Sequence, residues 1–407
     1  MKAKALKIIG VNVLVFLGLL LLIEATGQMI AVIRPSYDVL FLQPDEAVGW
    51  RQVPNLRWTW TGRFWYANDF SVEVETNPLG FRDIVREYSK PPGVTRVALL
   101  GDSMIEAVQV PLTKTAAQLL ERKLNTLLYR DPEQPQRWEV LNFGISNYGV
   151  GQYLLTWEEY ASRYHPDYVV IFVAKFHMQR SINKYEYGAF PTTANEKLWI
   201  RPTFRIENGS LIREPAKDFN KFVKAQEDLI KSEFAGKRIR RKRMRLLTLY
   251  YGENLIGELV RRFNQTSLVR RFNQTPKQIA IPREIDPDAD GALFAVNLKI
   301  IEELGRKVHS AGSRLVVLDA SQYFGDEEIV SRTLNELCAK YGFGYIPLYK
   351  DLLKANMSGI STRWSHDFHF NDTGNIILAG SLYDWIAQTL PVSGTHSRFP
   401  GTPDARR

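Results

Sequence analysis

Cysteine is nearly absent: the chain has one, Cys338, in 407 residues. That excludes an internal disulfide, a zinc ribbon and a CxxC redox pair. Its place in the helical pattern VSRTLNELCAKYG reads as core packing, as is usual for a free cysteine. Histidine is scarce too, six in all, so a search for an acid-base residue is short. The composition lacks the polar, charge-skewed character of a disordered chain: 45% is hydrophobic and 24% charged, enough to bury a full core. A solenoid is also excluded, because the one repeat, VRRFNQT at Val260 and Val269, recurs after only nine residues. Its Asn-Gln-Thr triplets match a glycosylation pattern that needs a glycosylating host.

What is present begins with a segment different in kind. Lysines at 2, 4 and 7 precede an uncharged run from Ile8 to Ile23, then Glu24 and further apolar residues up to Arg34. At 1.5 Å per residue the uncharged run covers roughly 24 Å, and Ala25 to Ile33 complete a membrane span. Lysines on the N-terminal side keep that end in the cytoplasm and put the rest of the chain outside. A cleaved leader ending near Ala25-Thr26-Gly27 is the alternative, and it leads to the same location. The net charge is +9, with much of the excess in GKRIRRKRMR, Gly236 to Arg245. In an extracytoplasmic protein such a run is expected to meet a membrane surface or an acidic glycan, not nucleic acid, or to be a solvated helix face.

Residues 35–92 form an aromatic lead segment. RWTWTGRFWY and FSVEVETN read as strands, with Val72 and Val74 alternating with Glu73 and Glu75, and with Trp58 and Trp60 on one face. These tryptophans suit either a core or a sugar ring. From Pro92 the period changes: TRVALLGDS, WEVLNFG, PDYVVIFVA, SRLVVLDA and FGYIPLY alternate with amphipathic helical stretches, the last being NIILAGSLYDWIAQTL. Continuous apolar strands between helices predict an α/β fold, a parallel sheet covered on both faces, whose ligands sit at the carboxyl ends of the strands. The domain extends over 93–391, with a basic insertion at about 180–287 that includes a hairpin, FRIENGSLIRE, and with a disordered tail from 392 to 407.

The first of those strands stops at Gly-Asp-Ser, which leaves Ser103 at its end. A Gly-Asp-Ser triplet occurs by chance in roughly one such chain in ten, so it needs partners. A serine nucleophile requires a base, an acid to orient the base, and donors for an oxyanion. His396 is in the tail, His309 at a surface-type helix end and His165 between elements. His369 instead lies in a polar loop, RWSHDFHFNDTGN, before the last helix. Asp367, two residues earlier, can hold one ring nitrogen while the other faces a serine hydroxyl; Asn371 or Asp372 caps the helix. The set His366, Asp367, His369 and His177 would alternatively suit a metal, but leaves Gly-Asp-Ser unexplained.

GDS closing the first strand and Asp-x-His-x-Asn before the last helix together resemble the GDSL or SGNH hydrolase family over roughly Val94 to Leu390, the insertion excepted. LNFGISNYGVGQ and HPDYVVIFV resemble its second block and the strand leading to its third. NPLGFRD, Asn77 to Asp83, is similar to the segment preceding the serine in membrane-anchored members found with cell-surface polysaccharide genes. The resemblance implies a three-layer, flavodoxin-like sheet, Ser103 as nucleophile, His369 as base and Asp367 as its partner, with no cofactor. It implies an esterase or acyltransferase acting on O-acyl groups of a glycan. The oxyanion residues depart from the pattern: Asn147 stands for the family's glycine, and Phe176 for its asparagine. Asn147 or His177 is then the expected replacement donor. A non-catalytic relative that binds glycan or partner proteins is the other reading these departures allow.

Overall fold

The protein is described by a computed structural model covering residues 2–33, 37–63, 68–128, 137–183, 185–186, 199–232, 234–241 and 287–390. Its centre is a five-stranded parallel sheet of β1 (Val94–Gly101), β2 (Arg137–Gly144), β3 (Tyr168–Val173), β4 (Arg314–Asp319) and β5 (Gly344–Ile346), in the order β5-β4-β3-β1-β2. This is the expected fold class. Every second residue of a strand serves a different core. Val97 and Leu99 pack with α2 (Ala116–Leu127), α7 (Leu348–Met357) and α8 (Asp372–Thr389). Ala98 and Leu100 pack with α3 (Val150–Glu159), α5 (Pro287–Ser310) and α6 (Glu328–Tyr341). Burial on both faces explains why the strands are apolar throughout rather than alternating. Among the described residues, three helices of eight residues or more were not anticipated: α4 (Lys175–Ile182), whose KFHMQRSI has little periodicity, α7, which follows Pro347 directly, and Phe219–Ser232 in the insertion. Cys338 is buried in α6, as its pattern predicts.

The lead segment folds as expected into an antiparallel pair, Arg57–Arg63 with Asn68–Glu75, with Trp58 opposite Val74 and Trp60 opposite Val72. Trp58, Val72 and Val74 are buried while Glu73 and Glu75 face out. Trp58 stacks on Phe41, so it belongs to the core and not to a sugar site. With Trp50 and Phe81 these residues join the same apolar cluster as Leu100, Leu141 and Leu154. The lead segment therefore closes one face of the sheet.

In the insertion, the hairpin Thr203–Glu207 with Ser210–Glu214 turns at Asn208-Gly209, both at positive φ, as an Asn-Gly turn requires. A helix follows at Phe219–Ser232. Of the basic run, Lys237 to Arg241 are described: Ile239–Arg241 is a strand, not a helix face, paired antiparallel with Tyr37–Val39. Residues 242–245, both VRRFNQT copies, His396 and the tail lie outside the described residues. The N-terminal helix α1 (Lys2–Ile33) contains 21 residues, Ile9–Met29, apolar enough to cross a membrane and not buried against the rest of the molecule; a signal sequence would meet the same criterion of length and composition.

Candidate active site

At the carboxyl end of the sheet, β1 and β2 stop side by side, Gly101 opposite Gly144. The chain then makes a four-residue helical turn, Ser103–Glu106, capped by Asp102, whose Oδ1 accepts the Met104 N–H at 3.0 Å. This turn lies tightly on both glycines. A Cβ at Gly101 would meet Ile105 Cγ1 at 2.2 Å, and one at Gly144 would meet Glu106 N at 2.3 Å. Any larger residue would lift the serine out of place.

The loop before α8 brings the other two groups. Asn371 is the cap, its Oδ1 accepting the Gly374 N–H, and its Nδ2 donates to the carbonyls of Ser361 and Arg363. In the turn so formed, Asp367 Oδ1 lies 2.5 Å from His369 Nδ1, and His369 Nε2 lies 2.8 Å from Ser103 Oγ. With Nδ1–H donated to the carboxylate, Nε2 is left to accept the serine proton. Burial would raise the Asp367 pKa, but the bond to His369 outweighs it and holds the carboxyl below its ordinary value. Ser103 is only 6% exposed, recessed rather than standing in the open as the end of a strand suggested. Phe368 beside the imidazole is exposed.

Asn147 has φ +64°, the left-handed conformation that glycine adopts freely and asparagine tolerates best among other residues. The turn at Asn147 is therefore one that a glycine would also make. Among the described residues no acceptor takes the backbone N–H of Ser103 or of Asn147, so both remain available to an oxyanion. On the Asn147 side chain Oδ1 lies 3.4 Å from Arg180 Nη2, which leaves Nδ2 as its donor.

His177 is not at the oxyanion position, contrary to expectation. It is fully buried; Nδ1 accepts the Ala174 N–H at 2.9 Å, and Nε2 lies 2.9 Å from Asp102 Oδ2. Burial lowers its pKa despite that carboxylate, so a neutral ring is favoured. With Nδ1 accepting, the hydrogen of the neutral ring is on Nε2, which faces the Asp102 carboxylate and not Ser103. For Asp102 burial works upward, but His177, Arg180 and the Met104 N–H outweigh it and hold the carboxyl well below the usual range. His366 faces Asp69, Nδ1 to Oδ1 at 3.0 Å. The three histidines thus turn to three different carboxylates, and among the described residues no three metal-binding side chains converge. His165 and His309 are exposed, as expected.

Several residues that hold the site were missed. Glu106, buried beneath the serine, accepts from Gln52 of the lead segment and from Ser146 of the Asn147 turn. Burial, opposed by Ser146 and Arg82, raises its pKa to about 7. Arg82, from NPLGFRD, is fully buried and donates to the carbonyls of Glu106, Ala107 and Val110. Trp50 Nε1 donates to the Ser146 carbonyl. A signal for Glu106 was available: it is the one charge in the apolar MIEAVQV, where a carboxylate must find buried partners. A surface groove between α3, the Asn208-Gly209 hairpin and α5 includes no residue of the triad.

No family model matches the chain, and no curated protein matches it. Among solved structures it is similar to TesA, at 10% identity with a TM-score of 0.37, covering 73% of this chain and 100% of that one. It is similar to Axe2, an acetylxylan esterase from Geobacillus stearothermophilus, at 11% and 0.37, covering 72% and 94%. It is similar as well to the lipase/acylhydrolase from Enterococcus faecalis, at 11% and 0.36, covering 72% and 96%. The last two are an esterase and a lipase by name, and at this identity the chemistry rests on the geometry of the site alone.

Proposed function

We propose that the protein is an SGNH-type serine esterase or acyltransferase. The observation that supports this best is the continuous relay from Asp367 through His369 to Ser103, at 2.5 and 2.8 Å, at the carboxyl end of the first strand. Ser103 Oγ attacks the ester carbonyl carbon as its proton passes to His369 Nε2, and the carbonyl oxygen becomes an anion between the N–H groups of Ser103 and Asn147. Collapse expels the alcohol oxygen, which leaves with the proton from the imidazolium, and Ser103 carries the acyl group. Water, or a second alcohol, then repeats the step in reverse, giving its proton to Nε2 and releasing acid or a new ester. Asp367 holds Nδ1–H throughout, so the ring presents the same nitrogen at each step.

The test uses p-nitrophenyl acetate and an acetylated glycan. Wild type should release acetate, and a serine-reactive phosphonate should add at Ser103. Ser103→Ala, His369→Ala and the double variant should be about equally inactive, each down by roughly 10⁴-fold or more, because the residues act as a unit. A folded wild type that takes no phosphonate and cleaves no ester would establish the second reading, a binding protein of the same fold. Phe176, where an amide donor is expected, is the observation in its favour.

The NPLGFRD resemblance directs attention to O-acyl groups of surface or secreted glycans. We further infer an uncleaved anchor with the main domain outside the cytoplasm. The Tyr37–Val39 pairing then keeps basic residues 237–241 within a few residues of the end of α1, near anionic headgroups or acidic glycan. A reporter active only outside the cytoplasm, fused after Leu390, should be active on a full-length product, and cytoplasmic activity would refute the location. Vesicle binding should fade as salt is raised; binding indifferent to salt would remove the surface role.

A further inference from the structure

The developing oxyanion has two backbone donors, and Phe176 occupies the position of a third. Four residues on, one turn along the same face of α4, stands Arg180. Its guanidinium carbon lies 5.0 Å from the centre of the Phe176 ring. Nη1 is 3.1 Å from Asp102 Oδ2 and 3.1 Å from the Tyr148 carbonyl, and Nη2 is 3.4 Å from Asn147 Oδ1. The fork thus spans the residue before Ser103 and the side chain of Asn147, beside the two residues whose backbone N–H groups are assigned to the anion. A guanidinium has five N–H bonds. Nε–H and the second hydrogen on Nη2 have no acceptor among the described residues. The approach depends on Gly149, where a Cβ would meet Arg180 Cβ at 2.6 Å.

We infer that Arg180 is a catalytic residue, supplying to the oxyanion the third donor that Phe176 cannot. The inference rests on Ser103 being the nucleophile. Asp102 and Tyr148 fix the planar fork before substrate arrives, so little reorganisation accompanies the reaction. No bond is made or broken at Arg180. It meets the negative charge that appears on the carbonyl oxygen when Oγ adds, and releases it when the alcohol departs.

The experiment measures kcat and KM for p-nitrophenyl acetate with the full chain. Arg180→Ala should lower kcat by about 100- to 1,000-fold with KM changed little. Added methylguanidinium should restore part of kcat, as should Phe176→Asn in the Arg180→Ala background, by returning an amide donor. Arg180→Lys retains a cation for Asp102 but loses the fork; it should unfold like wild type yet lose about tenfold or more in kcat. Wild-type kcat in Arg180→Lys or in Arg180→Ala overturns the inference, as does a loss in Arg180→Ala that neither guanidinium nor Phe176→Asn relieves. If wild type itself takes no phosphonate at Ser103, the nucleophile reading fails and this inference fails with it; if it does and Arg180→Ala matches it, only the inference fails.

Discussion

The two halves of the site are held in contrasting ways. The nucleophile half, Ser103 with the Asn147 turn, is fastened by distant segments: Arg82 donates to three carbonyls after the serine, Gln52 and Ser146 meet on Glu106, and Trp50 holds the Ser146 carbonyl. The histidine half is fastened mainly by itself, through bonds within 361–374 that centre on Asn371 and Asp367. Its ties to other segments are Asp69, which accepts the His366 N–H at 2.7 Å and faces its Nδ1, Tyr323, which accepts from Arg363, and Lys114, which pairs with Asp372. A nucleophile and its oxyanion donors must keep their spacing while charge builds, whereas a base can be placed by one well-capped loop. Stability is therefore invested in the first half, and the second is tuned locally.

The largest expected contrast comes from cutting one tie on each side. Arg82→Ala leaves three carbonyls and a buried carboxylate without their cation and should cost about 3–5 kcal/mol of unfolding free energy. Asp69→Ala should cost about 1 kcal/mol or less, yet lower kcat, since it frees the His366 backbone next to Asp367. Denaturant unfolding and initial rates on both variants decide this. Equal stability losses would show that the two halves are held alike.

A smaller effect sharpens the comparison through pH. Glu106 and Asp83, both beneath the nucleophile half, are pushed up to about 7 by burial, from ordinary values of 4.5 and 3.8. Between those values the folded chain holds protons that the unfolded chain has released. The stabilisation is therefore complete below the ordinary values and is lost as pH rises through 7. Asp102 and Asp367, lowered instead, act in the opposite sense and at more acid pH. The melting temperature should fall between about pH 5 and about pH 8, and Glu106→Gln should flatten that slope. An unchanged slope in Glu106→Gln would mean that the carboxyl does not hold its proton.

The same contrast explains what could be read from the chain. Asp367, His369 and the cap Asn371 are neighbours in sequence, so their relation was visible as a motif. Ser103 was visible because an apolar strand ends there. The sheet followed from apolar runs that only burial on both faces explains. Arg180, Arg82 and Gln52 were not legible, because each acts on residues between 24 and 78 positions away, and no local pattern encodes such a pairing. His177 misled for the same reason: its place beside Phe176 suggested the oxyanion, while the fold turns it inward to Asp102.

The lead segment shares one apolar cluster with the sheet, and Trp50, Phe81 and Val74 have no core apart from it. A fragment beginning at β1 would bare that surface and strip Glu106 of Gln52 and Arg82 at once. Its silence in an enzyme assay would then report a ruined scaffold rather than missing chemistry. Trimming the chain for expression has to stop before Tyr37, so that the lead segment travels with the sheet it covers.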